Sequence, residues 1–143
     1  MYSFFAMLGR MKYIDRWALM RNSRTENISE HSQEVAVLAH ALAVIGNRRL
    51  GKALNAERAA VLGLFHDTTE ILTGDMPTPV KYKDGAIRSA YKHLEDEAAE
   101  TLLGKLPEDL KEEYEPLYRP AEVLKFFLIQ NILTTFYLQS NNV

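Results

Sequence analysis

The sequence predicts an all-α protein, a bundle-like packing of about five or six helices in one domain over residues 1–143. Three observations carry that prediction. Apolar residues recur at three- and four-residue spacing along most of the chain. The apolar–polar alternation that marks strands is nearly absent. Residue types that start and stop helices stand between the periodic segments. A chain of 143 residues suits one domain, and 47% hydrophobic residues are enough to build a core at that size.

The elements follow in order. Phe4, Leu8, Met11 and Ile14 predict a first short helix. RWALMRNSRTENIS has no sustained period and reads as a structured loop. Ser29 is a candidate N-cap for the second helix, which carries HSQEVAVLAHALAVIG and is expected to stop near Gly46. Asn55 caps a third helix whose apolar side holds Ala59, Leu62, Phe65 and Ile71, and Gly74 ends it. GDMPTPVKY is a turn-rich loop stiffened by two prolines. Asp84 caps an amphipathic fourth helix through RSAYKHLEDEAAETLLGKL. Pro107 fits the first turn of a fifth, PEDLKEEYEPLY, and a helical or irregular segment follows Pro120.

Composition narrows the function. The net charge of −2 carries no basic excess of the kind a nucleic-acid polymer requires, so a phosphate substrate needs locally placed cations. The absence of cysteine removes disulfides and thiolate metal sites and suits a reducing cytosol. The apolar N-terminal cluster has no basic leader before it, so no signal peptide is expected. No run reaches the roughly 18 apolar residues of a membrane span. A cytoplasmic globular protein without membrane attachment is the expectation.

Of the four histidines, His93 lies among Lys92, Glu95 and Asp96 and reads as a solvated surface residue. His40 reads as a buried or half-buried packing residue. It follows His31 by nine positions, about half a turn around an ideal helix, so the two cannot easily share a metal. His66 is set apart by its neighbours. Asp67 follows it and Glu70 is four positions on, so helical spacing puts Glu70 beside both. Imidazole and carboxylate together suit divalent transition metals. Glu70, as a carboxylate outside the ligand set, is placed to move a proton. A His–Asp pair also occurs by chance in ordinary helices.

Two loops supply context. Arg16, Arg21 and Arg24 precede His31, and arginine's planar fork of donors matches phosphate. Trp17 offers a wall for a sugar or base; equally, it is a core residue and the arginines are structural. Asp75 can accept from a sugar hydroxyl, and Thr78 can donate or accept; the same loop also has the composition of a plain helix-to-helix turn.

The order His31, then His66-Asp67, resembles the HD superfamily of metal-dependent phosphohydrolases, whose H…HD…D residues ligate metal on an all-helical scaffold. RWALMRNSRTENISEHS and NAERAAVLGLFHDTTEILTGDMPTPVKY resemble, more closely, the bacterial HD-domain 5′-deoxynucleotidases of the YfbR type, over residues 3 to 120. The resemblance implies His31, His66 and Asp67 as metal ligands and Glu70 as the catalytic acidic residue. It makes Arg16 the residue that orients the substrate phosphate and Trp17 the wall that favours deoxyribose. Asp75, Met76, Pro77 and Thr78 become the loop that contacts the nucleoside, with His31 and Asp67 also near the substrate. It implies hydrolysis of a deoxyribonucleoside 5′-monophosphate by a homodimer that uses Co²⁺, Mn²⁺ or a similar divalent ion.

The C-terminal end departs from that pattern. The family's fourth ligand is an aspartate in a K-x-A-D-x-x-x-A-Y segment, and EVLKFFLIQNILTTFYLQSNNV contains none; the last aspartate is Asp109. Residues 121–143 are therefore expected to be a divergent or truncated end with the C-terminal helices missing or altered. Asp109 or Glu122 can stand in only if the fold brings it close. Two other readings stay open: an HD phosphohydrolase of another nucleotide, and a non-catalytic truncated remnant with a weakened metal site.

Overall fold

The computed structural model describes residues 2–17, 24–81 and 83–120, without the side chain of Thr78. These residues are all-α, as expected. They form α1 (Phe4–Leu8), a 3₁₀ turn (Met11–Tyr13), α2 (Ile28–Leu50), α3 (Ala56–Phe65), α4 (Glu70–Thr73), α5 (Thr78–Lys81), α6 (Gly85–Leu103) and α7 (Glu108–Tyr118). Among the described residues there is no strand, only an isolated antiparallel bridge between Asp15 and Asn27.

The caps explain most boundaries. The Asn55 side chain accepts from the Arg58 backbone N–H and Asp84 from that of Ile87, so both starts lie where expected. Gly74, at φ 74°, ends α4. Several boundaries differ from expectation. The first predicted helix, expected to reach Ile14, ends at Leu8 and is followed by the 3₁₀ turn. Asn27, not Ser29, caps α2, because its Oδ1 accepts from both Ser29 N–H and Glu30 N–H. That helix runs past Gly46 to Leu50 and ends before Gly51, whose φ is 60°. The third predicted helix is broken by turns at residues 66–69, and α5 sits inside the predicted proline loop. Pro107 immediately precedes α7, where its carbonyl accepts from Leu110 N–H at 3.1 Å. The predicted segment after Pro120 lies outside the described residues.

The chain divides into two compact units, Met1–Glu30 with Asp67–Glu115, and His31–His66 with Pro116 onward. In the first, α6 is the element against which α1, α4 and α5 pack. Its Tyr91, Ala98, Ala99, Leu102 and Leu103 are buried. The Phe4 ring meets Tyr114 edge-on at 5.3 Å, and Ser3 N–H donates to Lys105 O, which ties the N-terminus down. In the second unit α2 buries Val35, Ala36, Ala39 and Ala43, one face at three- and four-residue spacing. Gly63 of α3 comes so close to α2 that a Cβ built on it would lie 2.7 Å from Ala36 Cα. Asn47 clasps Leu54 by two 2.8 Å hydrogen bonds and holds the α2–α3 connection.

Candidate metal centre and phosphate loop

The α2–α3 approach brings two histidines together. His31, in the first turn of α2, is 2% exposed. His66 caps the C-terminus of α3, and the two ring centroids are 5.2 Å apart. The His66 Nδ1 lies 2.7 Å from the Gly63 carbonyl oxygen. A carbonyl only accepts, so Nδ1 carries a proton, which in the neutral tautomer leaves the lone pair on Nε2. A backbone carbonyl holding the second nitrogen is how metal-binding histidines are usually oriented. Asp67 follows through the peptide bond. His31, His66 and Asp67 each offer one ligand atom, and these atoms lie within 4.8 Å of one another. Two imidazoles and a carboxylate are a borderline-soft donor set, which fits a divalent transition ion.

The other histidines do not join this group. His93 is exposed and pairs with Glu97 in the next turn of its helix, as a surface residue should. His40 is exposed rather than buried or half-buried, because the buried stripe of α2 passes through Val35, Ala39 and Ala43. Asp109 is exposed in the first turn of α7 and is not part of the ligand group among the described residues. Glu122 and Arg21 lie outside the described residues, and Arg24 is exposed.

The first unit holds the remaining candidates. Arg16 is buried, and its Nη1 donates to Glu26 Oε2 at 2.5 Å in an ion pair whose side chains are 7% and 9% exposed. The Arg16 N–H also donates to Glu26 O at 2.8 Å, so one residue holds Arg16 by backbone and side chain. Trp17 is half-buried, its ring 5.4 Å below the Arg16 guanidinium and its backbone at φ 61°. The Trp17 N–H donates to Asp75 Oδ2 at 2.8 Å. Glu70 is buried, and its pKa is pushed up to about 9, first by burial and then by the charges of Asp67 and Asp75, against the pull of Lys81 and Arg16. Its N–H donates to Asp67 O at 3.0 Å across the turn that replaces the predicted continuous helix.

Asp75, Met76 and Pro77 are half-buried, and Thr78 begins α5. Tyr91 Oη donates to the Gly74 carbonyl at 3.2 Å, next to Asp75, and burial raises the Tyr91 pKa. Lys81 lies over the Tyr91 ring and pairs with Glu95 at 2.7 Å. The sequence did not single out Glu26 or Tyr91. Both act across long separations, and only the RWALMRNSRTEN motif hinted at the first.

Helices alone, carrying a clustered His, His and Asp donor set, define an HD-type fold. The comparisons agree. A solved HD-domain phosphohydrolase from Listeria innocua superposes with a TM-score of 0.83 at 20% identity, covering 96% of this chain and 67% of that one. A family model described as 5′-deoxynucleotidase YfbR-like matches residues 3–131. The chain belongs to the YfbR-like 5′-deoxynucleotidase family. Among its relatives, the 5′-deoxynucleotidase of Photobacterium profundum is 57% identical over 114 residues, which are 80% of this chain and 59% of that protein. The 5′-deoxynucleotidase YfbR of Salmonella paratyphi B is 55% identical over the same share of this chain and 57% of its own length. The chain thus spans less than two thirds of the length of the curated relatives it matches. Among the described residues, no helix is long and apolar enough to cross a membrane.

Proposed function

We propose that this chain is a metal-dependent phosphohydrolase that removes the 5′-phosphate from deoxyribonucleoside 5′-monophosphates, working as a single HD domain, a homodimer and a cytoplasmic enzyme. The observation that carries the proposal is the ligand group: His31, His66 and Asp67 with donor atoms within 4.8 Å of one another. These three residues would hold Co²⁺, Mn²⁺ or a similar divalent ion, which supplies Lewis acidity at the phosphoryl group and lowers the pKa of water there.

The other residues take roles their chemistry supports. Arg16 binds the substrate phosphate; Glu26 engages Nη1, and the remaining guanidinium N–H donors form the fork a phosphate matches. Glu70, buried and bonded through its N–H to Asp67 O, is the group that moves a proton to or from the reacting oxygens. Trp17 packs against the sugar, where deoxyribose fits better than ribose. Asp75 to Thr78 contact the nucleoside.

Phosphate release from dAMP and AMP, each with Co²⁺ or with a chelator, tests the reading. Release from dAMP alone, abolished by the chelator, is expected. Equal release from both nucleotides sinks the deoxyribose assignment, and release that survives chelation sinks the metal.

A further inference from the structure

Trp17 has its backbone at φ 61°, in the left-handed region. For a bulky side chain that region costs on the order of 1–2 kcal/mol, and it persists only where surrounding contacts over-determine it. Two sets of contacts hold the peptide plane that leads into it. On one side, Arg16 is tied to Glu26 by its N–H and its guanidinium, beside the Asp15–Asn27 bridge. On the other, the Trp17 N–H donates to Asp75 Oδ2 at 2.8 Å, 58 positions along the chain.

The acceptor is itself held. Gly74 N–H donates to Glu70 O at 2.8 Å, and the Gly74 carbonyl accepts from Thr73 Oγ1 at 3.1 Å and from buried Tyr91 Oη at 3.2 Å. Asp75 therefore leaves a fixed point anchored on α6. The Arg16–Trp17 peptide plane aims the Trp17 N–H at this carboxylate, and a hydrogen bond to a charged acceptor is about twice as strong as a neutral one. Turning that peptide plane away would break the bond and carry the indole with it.

We propose that Asp75 is a positioning residue: its carboxylate holds the Arg16–Trp17 peptide plane from which the Trp17 side chain departs, and so sets where the indole stands. The effect on sugar selectivity rests on the function proposed above; the tether itself does not. Asp75→Asn keeps an oxygen that accepts from Trp17 N–H, whereas Asp75→Ala removes it.

Trp17 is the chain's one tryptophan, so its fluorescence reports the tether without metal or substrate. In the full 143-residue chain, Asp75→Ala should shift the emission and raise acrylamide quenching while helical circular dichroism is kept, and Asp75→Asn should match the unsubstituted protein. An unchanged Asp75→Ala spectrum, or equal shifts in both variants, would overturn the proposal. Hydrogen exchange in the unsubstituted chain tests the same bond without a variant: the Trp17 amide should be protected, and exchange at the free-peptide rate refutes the tether. If the chain cleaves dAMP, the dAMP-to-AMP ratio of kcat/KM should fall about tenfold in Asp75→Ala, the factor for one charge-assisted hydrogen bond, and recover in Asp75→Asn. A ratio that holds while the fluorescence shifts keeps the tether and removes its part in selectivity.

Discussion

The Arg16 guanidinium and the Glu26 carboxylate form a buried ion pair at 2.5 Å, with the Arg16 N–H bonded to the carbonyl of the same residue. Glu26 is therefore the residue that holds the proposed phosphate ligand in place.

Breaking a buried pair from one side leaves a charge with no compensation, at a cost of about 3–5 kcal/mol. Glu26→Ala should unfold in urea with a midpoint lowered to match. Glu26→Gln, which keeps an acceptor oxygen but leaves the Arg16 charge without compensation, should recover only part of that loss. Equal losses in the two variants would show that the carboxylate's charge, not its acceptor oxygen or its packing, holds Arg16.

Glu70 gives the metal-free protein a pH dependence of definite sign. Its pKa of about 9 in the fold exceeds the ordinary 4.5. Between those values the unfolded chain releases a proton that the folded chain keeps, so stability is full below 4.5 and declines as pH rises through about 9. Glu70→Gln removes the decline. At about pH 8.5 the variant should melt on the order of 5 °C above the parent. Parallel Tm–pH curves would be the contrary result. Glu70→Ala should abolish phosphate release with the helices kept.

The ligand group predicts stabilisation by metal. Co²⁺ at a hundredfold excess over its dissociation constant should add about 2.7 kcal/mol, read as a rise in Tm. His66→Ala, which removes the Nε2 lone pair set by Gly63, should not respond. A full response in that variant would place the metal elsewhere.

Gly63→Ala tests the α2–α3 approach. The added Cβ would meet Ala36 Cα at 2.7 Å and Ala36 N at 2.9 Å, both backbone atoms that cannot rotate away. Overpacking of this kind costs about 1–3 kcal/mol. Because Gly63 also supplies the carbonyl that orients His66, the variant should lose cobalt stabilisation along with Tm.

Local signals were legible in the sequence where a single residue decides. Asn55, Asp84 and Gly74 act on backbone groups within three or four positions, so their types suffice. Ser29 was misjudged as a cap because Asn27, two residues earlier, makes the same bonds. The break at residues 66–69 carries no proline or glycine to announce it. His40 was misplaced because α2 is apolar on more than one side: Val37 and Val44 are exposed at 63% and 39%. A helix with two apolar faces does not say which one will be buried.

By itself the sequence determined the all-helical class, most helix starts and the His66-Asp67 pair; the resemblance to the HD family added His31 as a candidate ligand. Tertiary structure decided that the two histidine rings stand 5.2 Å apart, that Glu26 holds Arg16, that Asp75 takes the Trp17 N–H, and that burial raises the Glu70 pKa. The reason is range. Periodicity and capping act within a turn or two of helix, whereas desolvation, charge pairing and a left-handed backbone step depend on neighbours that only the folded chain brings near.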